Sequence, residues 1–389
     1  RRPGAAAPMT AVRELRVEPI RATARPATSV RELRAEDIPQ IAALHGRVFG
    51  TTPSRTPQRL AAYFEEILFR NPWRDASLPS LVAAKNGHIT GFLGVVPRPM
   101  KLHDRAIRVA VCTQFMVDPE HRGELGAVQL LKTFFSGPQD LSLADGANEH
   151  ARRMWLALGG AAPLLYSLHW LRPLRPARYV LSLIERRATT LRTMAYAGRP
   201  VAALADAAIA RAPLSRLHED RNDAVEETLQ PSTMCAYLAE VMSGTVLQPR
   251  YDVSALGWLL DQAAHMTRHG TLRARAVRDT ERRLLGWFLH YVRAGGVSEV
   301  VQVAARAGAF NRVLQRLVLD AWRHGATAVR GRLDPRYAQE LSDQHCWLRR
   351  DCNWTLVHTR DDDISSAIHQ GKIFLTRLEG EWWMRFLEE

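Results

Sequence analysis

Lysine is almost missing from this chain of 389 residues: of 53 basic side chains, only Lys85, Lys101, Lys132 and Lys372 are not arginine. Cysteine is scarce too, with Cys112, Cys235, Cys346 and Cys352 showing no framework spacing. That excludes a disulfide-stapled scaffold and leads us to expect a reducing, cytoplasmic setting. The gap between Cys346 and Cys352 fits no standard zinc pattern, so no metal is expected. No run approaches the roughly 20 uncharged apolar residues of a membrane span. The basic opening RRPGAAAPM lacks the apolar segment of a secretory signal. No membrane partner is expected.

What is present is a formal net charge of +13, which attracts phosphates and acidic surfaces. The arginines are scattered rather than gathered into a stripe. No recognition helix, zinc finger or base-stacking motif accompanies them, so nucleic acid is not the expected partner. A hydrophobic content of 46% is ordinary for a globular chain. The length predicts two domains, at about 100–200 residues each.

The chain is organised around residues 108–135, RVAVCTQFMVDPEHRGELGAVQLLKTFF. Val109, Val111, Thr113, Phe115 and Val117 alternate, the period-2 signal of a strand. Asp118-Pro119 stops it, because proline has no N–H for a ladder. From Glu124, Ala127, Leu130, Leu131 and Phe134 recur at helical spacing. The junction His121-Arg122-Gly123-Glu124-Leu125-Gly126-Ala127 therefore opens a helix, whose first-turn amides lack internal partners and whose dipole favours anions. Small residues let a ligand approach that backbone, and Arg122 adds a guanidinium fork, so the junction is a candidate pyrophosphate site. An ordinary strand–helix turn is the plain alternative.

Around this stretch the periodicity predicts helices over 38–48 and 57–69. It predicts a hairpin of 80–84 with 89–96 about Asn86-Gly87, and a second strand pair about His103-Asp104. Residues 140–144 read as the next strand and 163–172 as a last one. Residues 1–28 read as a disordered basic tail and 183–250 as a helical connector. From 251 a second cycle follows: helix, three strands, an amphipathic helix marked by Phe310, Val313, Leu314, Leu317, Val318 and Ala321, then strands over 328–331 and 346–357.

The stretch VDPEHRGELGAVQLL resembles the acetyl-coenzyme A loop of the GNAT (Gcn5-related) N-acetyltransferases, a strand ending in Val-x-Pro and then Arg/Gln-x-x-Gly-x-Gly/Ala opening a helix. Arg122 and Ala127 match the loop's ends. Leu125 stands at its first glycine, with Gly123 and Gly126 close by. Asn148, Ala151, Leu158 and Gly159 match the family's Asn-x-x-Ala…Tyr-x-x-Leu-Gly helix, where Trp155 replaces a tyrosine that often acts as the acid. Residues 30–41 resemble the family's first strand and helix start. The resemblance covers roughly residues 29–180. The second half also resembles this fold, but its junction, Ala305-Arg306-Ala307-Gly308-Ala309, lacks the loop pattern.

The resemblance implies an α+β chain of tandem GNAT-like mixed sheets flanked by helices. It places an acetyl-coenzyme A-binding domain at 29–182 and a degenerate copy at 251–389. It implies an N-acetyltransferase that passes an acetyl or acyl group from acetyl-coenzyme A to a small-molecule or peptide amine by direct attack in a ternary complex. A non-catalytic acyl-coenzyme A-binding or scaffolding protein is the alternative. Met116 and Val117 would offer backbone groups to the thioester and pantetheine. Amides of Arg122, Gly123, Glu124, Leu125, Gly126, Ala127 and Val128 would hold the pyrophosphate, and Asn148 the pantetheine arm. Tyr166 is the candidate acid, and His169, Glu149 and His103 are the candidate bases. A homodimer is compatible with this reading.

Overall fold

The computed structural model describes residues 28–52, 55–122, 125–187, 192–211, 223–350 and 353–384. The chain opens with β1 (Ser29–Glu32), α1 (Ile38–Phe49) and α2 (Pro57–Phe69). The two helices start and end as local chemistry dictates: Pro39 sits in the first turn of α1, and Thr56 caps α2 by accepting from the Arg59 amide. Next come β2 (Leu81–Lys85) and β3 (His88–Leu102), turned by Asn86 and Gly87 at φ 52° and 79°. Both values fit the two-residue hairpin turn that matches strand twist. β4 (Arg105–Val117), α3 (Gly126–Phe135), β5 (Leu141–Ala147) and α4 (Glu149–Ala157) follow.

The β3 strand runs unbroken through Pro97 and Pro99, where a break was expected. It pairs with β4 along this whole stretch. The Pro99 carbonyl accepts from the Arg250 amide on the opposite edge. The missing proline N–H groups thus fall on the side away from β4, where β2 has already ended at Leu93.

The chain continues through α5 (Leu164–Ser167), β6 (Leu168–Pro173), α6 (Pro176–Arg187) and α7 (Arg192–Arg211). It goes on to β7 (Val225–Thr228), α8 (Pro231–Val241), β8 (Leu247–Pro249) and α9 (Val253–His265). The stretch read as a helical connector therefore also supplies two short strands, one to each sheet. The remaining strands are β9 (Thr271–Arg278), β10 (Leu284–Val292), β11 (Val297–Ala305), β12 (Ala328–Arg332), β13 (Trp347–Arg350) and β14 (Trp354–Thr359). With them run α10 (Phe310–Arg323), α11 (Ala338–Asp343) and α12 (Asp362–His369).

Two mixed sheets result. The first is ordered β1-β2-β3-β4-β5-β14, with β8 also on β3, and the second β13-β6-β12-β11-β10-β9-β7. Each holds one parallel pair, β4–β5 joined through α3 and β11–β12 joined through α10. The expectation that residues 163–172 close the first sheet is corrected. β6 pairs with β12 and β13 of the second sheet, while β14 fills the first sheet's edge against β5. The single strand expected over 346–357 is two, one on each sheet. Gly160 makes the exchange possible, because a side chain there would press within 3.1 Å of the Trp155 and Val357 carbonyls. Among the described residues, no helix is long and apolar enough to cross a membrane.

The second sheet buries polar groups that must be satisfied. His290 is fully enclosed, its ring nitrogens 2.7 Å from Ser298 Oγ and 2.9 Å from Asp320 Oδ2, and Arg273 donates to both Asp320 oxygens at 2.6 and 2.7 Å. Burial pushes the His290 imidazole down. Burial likewise takes His169 to about 2, and His269 to about 3. These histidines stay neutral in the folded chain and take a proton on unfolding. Their stabilisation is therefore complete above the unfolded value near pH 6.5 and is lost as the pH falls toward the folded values, at about 1.4 kcal/mol per pH unit for each. Denaturant titrations between pH 7.5 and 4.5 should show stability declining from about pH 6.5, above the carboxylate range. Equal stability at pH 7 and pH 5 would show that these rings are accessible to protons in the native chain.

Candidate active site

The parallel strands β4 and β5 pair only from Val109 with Leu141 to Val111 with Leu143. Both strands then continue without a ladder between them. A cavity of about 560 Å³ lies in that gap, lined by Cys112, Gln114 and Met116 on one side and Ala144, Gly146 and Ala147 on the other. The edge of β4 facing β5 has no strand partner beyond Val111, so it offers polar backbone groups to the cavity.

The gap is sharpened by a bulge. Phe92 pairs with Met116 but Gly94 pairs with Thr113, so β4 carries one extra residue there. Gln114 takes up the extra length at φ 50°, a left-handed conformation uncommon outside glycine. Gly94 lets β4 approach at this point, since a Cβ on it would lie 2.8 Å from the Thr113 carbonyl oxygen. The Gln114 side chain is buried and donates to the Tyr63 hydroxyl at 3.4 Å, which anchors the bulge to α2.

The cavity mouth meets the first turn of α3. Arg122 and Ala127 line it, and Arg122 is exposed. The loop's start is held by Asp118, whose carboxylate accepts from the Glu120 amide at 3.2 Å and from Arg47 Nε on α1 at 2.9 Å. The helix begins at Gly126, two residues after the expected Glu124; Gly123 and Glu124 lie outside the described residues. Leu125 is exposed and Val128 half-buried, and neither lines the cavity. A Cβ on Gly126 would meet Thr28 at 3.5 Å, an ordinary contact, so crowding by this chain is not what demands glycine there. Across the gap, Asn148 caps α4 by accepting from the Ala151 amide at 2.9 Å, and it too lines the cavity. Trp155 closes one wall, edge-on to Phe135 at 4.9 Å. Of the expected donor-site residues, the structure thus gathers Met116, Val117, Arg122, Ala127 and Asn148.

Residues 29–139 match the family model described as an Acetyltransferase (GNAT) domain. The chain carries a GNAT acetyltransferase domain. Among solved structures it is similar to a GCN5-related N-acetyltransferase from Anabaena variabilis, with 12% identity, 86% of this chain and 74% of that one covered, and a TM-score of 0.55. A conserved protein of unknown function from Enterococcus faecalis, a probable N-acyltransferase, gives 11%, 86%, 73% and 0.55. A GCN5-related N-acetyltransferase from Kribbella flavida gives 12%, 85%, 71% and 0.52. At these identities the likeness is one of fold, and it spans both sheets. No curated protein matches the sequence.

None of the expected acid and base residues lines the cavity. Tyr166 is fully buried in α5; its hydroxyl donates to the Ile373 carbonyl at 3.3 Å and accepts from the Ile373 amide at 3.2 Å, and burial raises its pKa further above the phenol range. His169 sits inside the second sheet between β12 and β13, where burial and then Arg377, Arg332 and Arg330 hold it neutral. Glu149 is on the surface, clasped by Arg152 and by Trp354 Nε1, and these bonds lower its carboxyl. His103 holds a left-handed turn position at φ 53°.

Sequence reasoning missed what closes the cavity from the far end of the chain. Glu381, 6% exposed, lines it. Its amide and that of Trp382 donate to Asp145 Oδ1 at 2.5 and 2.8 Å, and Asp145 Oδ2 pairs with Arg332 at 2.6 Å. No spacing signal links position 381 to a loop at 122; aromatic neighbours mark the segment only as packing.

Tyr166 is placed to hold the tail rather than to move protons. Tyr166→Phe should therefore lower stability by about 0.5–1.5 kcal/mol, the net worth of a hydrogen bond, and leave turnover within about tenfold. Denaturant unfolding and steady-state rates check both; a hundredfold loss of turnover at unchanged coenzyme A affinity would make Tyr166 the acid.

Proposed function

We propose that this chain transfers an acetyl or closely related acyl group from acetyl-coenzyme A to a small-molecule or peptide amine, by direct attack within a ternary complex. The observation that carries the reading is the gap between β4 and β5, bulged at Gln114 and opening onto the first turn of α3 beside Arg122. Its parts fit a long, thioester-bearing donor with a charged end. The α3 amides and Arg122 would hold the pyrophosphate, with helix dipole and guanidinium both matched to its charge. Unpaired backbone groups near Met116 and Val117 would hold the pantetheine and polarise the thioester carbonyl, as donors aimed at developing negative charge do. Asn148 uses one lone pair of its side-chain oxygen on the cap of α4 and keeps its amide nitrogen as a donor for the pantetheine arm.

The donor end of the reaction asks little of an acid. A thiol has a pKa of about 8.5, so a departing thiolate needs protonation less than an alkoxide would, and the loss of the family's tyrosine at Trp155 is tolerable. The three described cysteines are free, which supports a reducing, cytoplasmic setting. A non-catalytic acyl-coenzyme A-binding role is the second reading, favoured by the absence of Tyr166, His169 and Glu149 from the cavity.

Release of coenzyme A thiol, followed with acetyl-coenzyme A and a panel of amines, separates the two: amine-dependent release is expected, and binding without release would leave only the second reading. Ala127→Trp should block backbone approach at the mouth. Several charge-assisted hydrogen bonds of about 1.5–3 kcal/mol each are then lost, weakening coenzyme A binding at least a hundredfold by calorimetry. Unchanged affinity in the folded variant would remove this cavity as the donor site.

A further inference from the structure

We infer that Glu381, carried to the cavity by the C-terminal tail, is the general base that takes the proton from the attacking amine. The inference rests on the acyl-transfer reading and names the group that reading lacks.

Among the described residues, four titratable side chains line the cavity: Cys112, Arg122, His150 and Glu381. Arg122 offers guanidinium donors and no acceptor. His150 is exposed, at the start of α4. Cys112 is buried, and burial with the nearby charge of Glu381 raises its thiol well above its ordinary value, so it remains protonated. Glu381 is the carboxylate of the set. Cys112 directly follows the last paired residue of β4, Val111, and Glu381 lines the same cavity. Gln114 and the bulge that exposes the β4 backbone lie two residues further along.

The position is held firmly, as a catalytic group must be. Asp145 Oδ1 accepts from the amides on either side of the Glu381 peptide, and Arg332 fixes the other Asp145 oxygen. Gly380 fits against that carboxylate with no room for a side chain, its would-be Cβ lying 2.2 Å from Asp145 Oδ2. Trp382 contacts the Arg377 guanidinium at 3.9 Å and stacks with the His269 ring at 4.2 Å. Asp145 and Arg332 thus support the Glu381 backbone, and Cys112, Arg122 and His150 belong to the same cavity.

The step balances simply. The alkylammonium first gives a proton to a Glu381 oxygen, and the freed nitrogen lone pair then forms the bond to the thioester carbon, the nitrogen shedding its second proton to solvent. The carbon–sulfur bond breaks, sulfur keeps the electron pair, and the thiolate takes a proton from the Glu381 carboxyl or from solvent. No oxidant, metal or further reactant enters.

The test compares Glu381→Gln with the wild-type chain, using an alkylamine that the wild type turns over and methoxyamine, which is already neutral at the assay pH. General-base catalysis is worth about 10²–10⁴ in rate. We expect kcat for the alkylamine to fall at least a hundredfold, kcat for methoxyamine to fall less than tenfold, and coenzyme A affinity by calorimetry to hold within threefold. Should the Gln variant fail to fold, Glu381→Asp, which retracts the carboxylate by one methylene, should show the same alkylamine-selective loss at smaller size. Equal losses for both amines, or an alkylamine rate within tenfold of wild type, would overturn the inference while leaving acyl transfer standing. If no amine releases coenzyme A from the wild type, the acyl-transfer reading falls and this inference with it.

Discussion

One carboxylate holds the architecture together. Asp145 projects from β5 of the first sheet, is shielded from solvent, and pairs with the equally buried Arg332 on β12 of the second sheet. Its other oxygen receives two amides of the C-terminal tail. A buried charge pair of this kind gains little over apolar packing, but removing one partner leaves a stranded charge that costs about 3–5 kcal/mol. The interaction therefore specifies more than it stabilises: it sets which sheet faces which and where the tail must run. A second ionic knot repeats the logic, with Arg377 of the tail and Arg330 of β12 converging on Glu299 of β11. The tail is tied to both sheets, and neither sheet is complete without strands from the other half of the chain.

The site follows from that arrangement. A parallel strand pair that stops pairing halfway leaves backbone groups without a ladder partner, and a folded protein keeps such groups only where something else can satisfy them. The bulge at Gln114 adds a strained residue at the same place, and strain of this sort clusters where function needs it. The opening is walled on one side by α4, capped by Asn148, and met at its mouth by the helix start beside Arg122. Glu381 joins its lining from a segment whose backbone is fixed by Asp145. The proposed donor-holding groups thus come from local sequence around Arg122, and the proposed proton acceptor comes from the far end of the chain.

That division explains what could be read beforehand. The Asn86-Gly87 hairpin, the strand–loop–helix around Arg122 and the α10 face marked by Phe310, Leu314 and Leu317 are all set by interactions within a few residues, so period and turn chemistry reveal them. The exchange of β6 and β14 was hidden, because alternation identifies a strand but not the edge it joins. The bulge at Gln114 was hidden because the alternating pattern of Val109 to Val117 reads straight through it. Tyr166 and His169 attracted attention as titratable residues near the loop in sequence, yet both are spent on burial and on holding structure. Glu381 carried no local signal, because its role depends on contacts made across more than 230 residues of sequence separation.

The central claim is that the chain has one donor site, in the first sheet. The α10 junction of the second sheet faces a small hollow where Arg306 pairs with Glu240. Calorimetric titration of the whole chain with coenzyme A measures the number of sites directly. One coenzyme A per chain, unchanged when Arg306 is replaced by alanine, is the predicted result. Two per chain, or none, would contradict it.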